Sequence, residues 1–294
     1  MHRPLEQPNV EPTEESPLKP STSRMNRIAL TAVSAAALSV SAVAMAAQQQ
    51  NAAPSATFVG LSNGGVTGAN TTFVVSLKNF TIDGANVGKT NAANRGHLHF
   101  ALDGGKFDFP KYSGANGQLA VKLGIAGKYS PSVAPSITYK GLPAGAHTIK
   151  VYMVNNDHSN TGKTATLKFT VDPKAPAATF VSPKASATTS GTVAVKIGLK
   201  NFTIDGANVG KANAANTGHV HFALDGGKFD FPKYSGANGD LAVKLGIAGK
   251  YSPSVTPGIT YSNLPKGNHT LAVYLVNNDH SNTTSAAAVN FTVG

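Results

Sequence analysis

The chain has 294 residues, a formal charge of +11, no cysteine, no tryptophan and 13% charged residues. Without cysteine, disulfide frameworks, Cys-ligated zinc, iron–sulfur clusters and thiol nucleophiles are excluded, so metal or acid–base chemistry falls to 9 His and 14 Asp plus Glu. The positive charge is dispersed lysine, with Arg95 the one arginine after Ala47. That distribution lacks the clustered guanidinium forks and interleaved aromatics of a nucleic-acid surface, and no nucleic-acid partner is expected.

In chain order, residues 1–24 are polar and rich in Pro and Glu, and read as a disordered upstream extension. A second methionine, Met25, then opens a short basic stretch with Arg27, an apolar run from Ile28, and Ala44-Met45-Ala46 before three glutamines. This is the layout of a signal-peptide helix over 25–46, with Met25 as the start and the mature chain secreted to the periplasm, cell envelope or exterior. An uncleaved anchor over 28–47 is the alternative, although its Ala and Ser content makes it weakly apolar; after cleavage no membrane insertion is expected. Removing 1–46 deletes four cations and four Glu, so the folded part keeps the whole net charge.

A linker over 47–55 leads into a tandem duplication at a constant offset of 122 residues. Residues 78–171 and 200–293 differ at 19 of 94 positions without a gap. The chain is therefore one domain written twice, repeat 1 over 56–172 and repeat 2 over 178–294, joined by a Pro/Lys/Ala linker over 173–177. Within repeat 1 the predicted strands are, in order, Ala-Thr-Phe-Val-Gly from Ala56, a long run from Thr71 to Ile82, Gly96 to Gly104, Gln118 to Ala126, Ser136 to Lys140, His147 to Asn156 and Ala165 to Val171. Apolar residues alternate in these segments, and Gly, Pro, Asn and Asp separate them. The fold class expected is all-β, two tandem antiparallel immunoglobulin-like sandwiches, with a jelly roll as the alternative.

Eight of the nine histidines are two copies of one set of four. His97 and His99 form a His-x-His on a predicted strand, which puts both rings on one face about 6 to 7 Å apart at Cβ, with Leu98, Phe100 and Leu102 on the core side. His158 lies in a polar turn at the end of a later strand, from which it reaches over the pair. His97, His99 and His158, with His219, His221 and His280 in repeat 2, are thus candidate ligands for one Cu or Zn ion per repeat. Asp103 (Asp225 in repeat 2), Asp157 or water would complete four-coordination. His147 and His269 are possible further ligands, although His147 shares the apolar side of its strand with Ile149 and Val151, which suits a packed side chain. The bland alternative for the whole set is a solvated strand face beside an Asx-rich turn.

Asp83, Asp103 and Asp108 sit in Gly-rich turns that invite Ca²⁺, but the EF-hand spacing and its closing Glu are missing. Phe107, Phe109, Tyr112 and Tyr129, repeated as Phe229, Phe231, Tyr234 and Tyr251, lie in loop-like sequence that either forms a platform for a sugar or partner or packs over the end of the sandwich. No nucleophile elbow, P-loop, dinucleotide fingerprint or Ser/His/Asp arrangement is present, and Glu is absent after Ala47. No enzymatic activity is expected.

Gly96-His97-x-His99, then Leu142-Pro143-x-Gly145-x-His147-Thr148, then His158, repeated from Gly218 to His280, resembles small exported bacterial β-sandwich domains of unknown function. The resemblance spans most of each repeat and implies fold and export. His97-x-His99-x3-Asp103 with Pro143-x-Gly145-x-His147 is also similar to the two cupin motifs, but Glu is the usual third ligand there and the second motif is spaced differently. Gly218-His219-Val220-His221-Phe222 resembles the copper strand of copper/zinc superoxide dismutase, whose disulfide, bridging histidine and arginine near copper have no counterpart here. The expectation is an exported, non-enzymatic tandem sandwich with a His-based Cu or Zn site in each repeat. The competing one is a cell-envelope structural or adhesion module that meets a glycan or protein through its aromatic loops without metal.

Overall fold

The computed structural model describes residues 52–108, 113–230 and 236–294. The extension over 1–24, the signal peptide over 25–46, and the loop aromatics Phe109, Tyr112, Phe231 and Tyr234 lie outside the described residues. The linker expected over 47–55 is described only from residue 52, and Ser55 already belongs to the first strand. Among the described residues no helix is long and apolar enough to cross a membrane.

Repeat 1 consists of β1 (Ser55–Val59), β2 (Gly65–Thr67), β3 (Thr71–Lys78), β4 (Thr81–Ile82), β5 (Arg95–Leu102), α1 (Ala115–Lys122), β6 (Ser130–Ser132), β7 (Ser136–Tyr139), β8 (Gly145–Asn155) and β9 (Asn160–Val171). Repeat 2 follows with β10 (Ala177–Ser182), β11 (Ala187–Thr189), β12 (Val193–Lys200), β13 (Thr203–Ile204), β14 (Thr217–Leu224), α2 (Ala237–Lys244), β15 (Ser252–Ser254), β16 (Gly258–Tyr261), β17 (Gly267–Asn277) and β18 (Asn282–Val293). In each repeat a three-stranded sheet, β1-β3-β7 or β10-β12-β16, faces a larger one whose centre is β9-β8-β5 or β18-β17-β14. The main ladders are antiparallel, while the short strands β2, β4, β11 and β13 pair in parallel at the edges. The architecture is the expected immunoglobulin-like sandwich.

Two local expectations are corrected. The segment from Gln118 to Ala126 is not a strand: Ala115–Lys122 forms α1. Its Leu and Val residues alternate, yet the helix buries only the small residues Gly117 and Ala120 and leaves Val121 60% exposed, so the period-two pattern had no sheet to serve. The long run from Thr71 to Ile82 breaks into β3 and β4 because Asn79 takes a left-handed conformation, φ 55°, which short amide side chains tolerate.

The core of repeat 1 interleaves Phe73, Val75 and Tyr139 of the small sheet with Leu98, Phe100, Ile149, Val151, Leu167 and Phe169 of the large one. Repeat 2 repeats it with Val195, Ile197, Tyr261, Val220, Phe222, Leu271 and Phe291. Each such side chain stabilises the fold by about 1.5–3 kcal/mol on burial. Beneath this core Asp108, 1% exposed, accepts hydrogen bonds from the Leu102 N–H (3.1 Å), the Ser130 hydroxyl (2.9 Å) and the Tyr139 hydroxyl (2.6 Å), tying β5, β6 and β7 together. Burial pushes its carboxyl up to about 6 despite those three donors. The two repeats touch: Val66 of β2 pairs with Ser285 of β18, joining the two large sheets edge to edge.

Candidate metal centre

Strand parity builds the site. On β5, Leu98, Phe100 and Leu102 enter the core, so His97 and His99 project from the opposite face of the same sheet. Outward-facing residues are usually wet, but these two are 0% and 4% exposed. β5 is flanked by β8, which sets Tyr152 opposite His99, and by β6, which sets Pro131 opposite it on the other side. Tyr129 then stacks on the His99 ring at 5.2 Å, and the β8–β9 turn closes the remaining side with His158.

The turn is shaped for that task. Asn155 donates its N–H to Ser159 O (2.9 Å) and His158 its N–H to Asn155 O (3.0 Å), while His158 takes a left-handed backbone, φ 69°. That conformation costs about 1–2 kcal/mol for a residue bearing Cβ. It turns the ring back over the strand: its centroid lies 4.6 Å from that of His97 and 5.8 Å from that of His99. Gly96, the residue before His97, is required here because a Cβ would run into the carbonyl oxygen of Val154 on β8. The glycine of the Gly-His-x-His motif thus lets β8 come close enough to bring its turn over the histidines.

The Nε2 atoms of His97 and His99 are 3.0 Å apart, as are those of His219 and His221. In repeat 2 His280 Nδ1 lies 3.1 Å from His219 Nε2. In both triads one nitrogen from each ring lies within 4.8 Å of the other two. Tetrahedral ligands bound at about 2.0–2.1 Å would be separated by about 3.3 Å, so the rings stand close to a coordinating arrangement. Both nitrogens of His158 are buried without a hydrogen-bond partner, as are His97 Nδ1 and His219 Nδ1, which lie across the ring from the converging Nε2 atoms. Burial pushes His97 and His219 down to about 4, with the third histidine's charge adding to the effect. Burial and the two neighbouring imidazoles push His99 and His221 down to about 3. Burial also lowers His158, opposed by Asp157. Neutral imidazoles are the form that binds a metal.

The other predicted ligands lie elsewhere. His147 is on the core face of β8, stacked on Phe169 at 5.4 Å, with Nδ1 2.7 Å from Asp103 Oδ2 and Nε2 donating to Pro143 O at 2.9 Å. The second carboxylate oxygen of Asp103 accepts the Thr148 N–H at 2.7 Å. His269 and Asp225 repeat this pair. The sheet separates these residues from the triad, so they are not brought to it and instead fasten the β8 entrance to the turn after β5. Asp157 is exposed and accepts the Ser159 N–H, which organises the turn. The three aspartates proposed for calcium do not converge: Asp83 is held by Asn86, Asp103 by His147 and Asp108 by Tyr139. Of the loop aromatics, Phe107 and Phe229 are buried, and Tyr129 and Tyr251 stack on His99 and His221. The contribution of Tyr129 to the site was not foreseen in the sequence; a signal for it is its place one residue before Ser130-Pro131-Ser132, which pairs with the His-x-His strand.

No family model matches the chain, and no curated protein sequence matches it. It is similar in structure to the fibronectin(III)-like modules of Clostridium thermocellum CbhA, at 15% identity and TM-score 0.24, covering 81% of this chain and 93% of that one. It is also similar to the N-terminal four Ig domains of Dscam1 isoform 9.44, crystallised with zinc, at 9% identity and TM-score 0.22, covering 83% of this chain and 47% of the other. A Parabacteroides merdae β-glucuronidase matches at 10% identity and TM-score 0.21, over 82% of this chain and 24% of the enzyme. The chain therefore spans about half of the Dscam1 structure and a quarter of the glucuronidase.

Proposed function

We propose that this is an exported, non-enzymatic protein in which each repeat binds one divalent transition metal ion, copper or zinc, through His97, His99 and His158 and through His219, His221 and His280. The observation that supports it best is the convergence of three imidazoles, with one nitrogen from each ring within 4.8 Å of the other two, present in both repeats. Imidazole sets of this kind suit Zn and Cu, and oxygen-seeking Ca or Mg far less. Because burial holds His97, His99, His219 and His221 neutral, these four are preorganised as donors and their ligation displaces no proton near neutral pH. Three protein ligands leave a further coordination position for water or for a group on a partner molecule. The signal-like segment over 25–46 supports export.

Calorimetric titration of the metal-free chain with Zn²⁺ and with Cu²⁺ at pH 7.5 tests the reading. Two ions per chain are expected. His97→Ala with His99→Ala should leave one, and adding His219→Ala with His221→Ala should leave none. Binding no tighter than about millimolar, or stoichiometry unchanged in the variants, would overturn it.

A further inference from the structure

We infer that the two repeats are locked together through a one-way interface, and that lysines on the two faces left free stop the chain from adding further copies. The interface joins the outer face of β3 in repeat 1 to the outer face of the β17–β18 hairpin in repeat 2, a seam independent of the histidine sites. Val74 is 0% exposed although it points away from the core that its neighbours Phe73 and Val75 enter. A Cβ built on Gly60, at the end of β1, would lie 3.1 Å from Ala287 O and 3.3 Å from Ala288 Cβ, which places the first turn of repeat 1 against β18. A cleft of about 600 Å³ along the seam is lined by Phe80, Ile82 and Pro135 from one repeat and by Asn268, Thr270 and Asn290 from the other.

The divergence between the repeats follows this seam. Of the 19 differences between 78–171 and 200–293, ten fall in the hairpin from Gly267 to Val293, three of them core exchanges at Leu271, Leu275 and Val289 and seven outside the core. Repeat 1 has Lys150, Lys163, Thr166 and Lys168 where repeat 2 has Ala272, Ser285, Ala288 and Asn290. Lys163, Thr166 and Lys168 are exposed, whereas all four repeat 2 residues are buried, from 1% to 8% exposed. On the opposing side the exchange runs the other way: buried Val74 in β3 corresponds to exposed Lys196 in β12. Charge and length have thus been removed on both sides of the contact and kept at both places where the same contact would otherwise recur. A head-to-tail interface propagates unless something blocks it. Here a second chain would have to seat Lys196 against Lys150, Lys163 and Lys168, bringing like charges together as they lose water.

Two variant sets of the chain test this with chelator present. In the first, Val74→Lys, Ala272→Lys, Ser285→Lys and Asn290→Lys install residues that the sister repeat already carries at the same places, so each sandwich should keep its circular dichroism spectrum. Small-angle scattering should show a larger radius of gyration, and the rotational correlation time from ¹⁵N relaxation should fall about two-fold as each repeat tumbles as a body of half the mass. Unchanged scattering and tumbling would overturn the lock. In the second, Lys196→Val with Lys150→Ala, Lys163→Ser and Lys168→Asn opens both free faces, and sedimentation should reveal concentration-dependent oligomers. A strictly monomeric chain would overturn the blocking role of the lysines.

Discussion

Acidification should destabilise the metal-free chain through its buried imidazoles. In each repeat one ring is held down to about 4 and its neighbour to about 3, against 6.5 in an open chain. Because the folded-state value is the lower one, the unfolded chain binds more protons below pH 6.5. The rings' contribution is therefore complete above that pH and is lost as the pH falls toward 4. Between pH 7 and 5 a ring held at 4 or below loses about 2 kcal/mol, so two would lose about 4 kcal/mol if they titrated independently. They are covered on one side only by a half-buried turn, through which solvent screens the charge, which reduces the figure to about 2 kcal/mol per repeat. Asp108 works in the other direction. Its value is raised to about 6, so its contribution is complete below the usual carboxylate range and is lost as the pH rises through 6; acidification from pH 7 to 5 returns about 1 kcal/mol. Replacing His97, His99, His219 and His221 with Phe fills the same space and isolates the histidine part. Urea unfolding with chelator at pH 7, 6 and 5 should show the wild-type chain losing about 2 kcal/mol per repeat more than the Phe variant, a relative fall in Tm of roughly 5 °C or more. Equal losses in the two proteins would show that burial does not hold these rings neutral.

His158→Asn with His280→Asn keeps a side chain that tolerates the left-handed turn, so urea stability should change by less than about 0.5 kcal/mol while zinc affinity in calorimetry falls at least tenfold. Gly96→Ala forces a Cβ onto the Val154 carbonyl; a loss of about 3 kcal/mol in repeat 1 is expected by circular dichroism, with zinc stoichiometry dropping from two to one. Asp108→Ala removes the shared acceptor of Leu102, Ser130 and Tyr139 and should cost about 3 kcal/mol in urea unfolding, whereas Asp108→Asn, which retains an acceptor oxygen, should cost about half as much.

The sandwich and the His97/His99 face were legible because both follow from period-two alternation, which a sequence states directly. The place of His158 was legible too, since a turn at the end of a long strand must fold back toward the neighbour of that strand. What was hidden depended on partners far along the chain. His147 announced its core-facing side by sharing parity with Ile149 and Val151, but not that Asp103, 44 residues earlier, would take its Nδ1. Asp108 read as a turn residue because nothing local marks the Tyr139 and Ser130 hydroxyls that meet it beneath the core. α1 was misread because its buried stripe is Gly117 and Ala120, residues too small to register in a hydrophobic pattern. The seam between the repeats was present in the sequence as the Lys-to-neutral exchanges, yet it acquires meaning only once β18 is seen against β3.

A single strand, β5, divides its labour by parity: its even-numbered residues from Leu98 to Leu102 complete the core, while His97 and His99 face away from it. Folding and the proposed metal capture therefore draw on separate sets of atoms. In a zinc finger the ion is the core, and the chain is shapeless until the metal arrives. Here the sandwich closes on its apolar core and on buried ties such as those of Asp108 and His147, none of which uses the triad, so under the proposed function a newly made chain would reach its final shape without the ion and fill its sites later. Occupancy would then report the ion's abundance around the finished protein, and substitutions among the histidines would retune that response without asking the core to change.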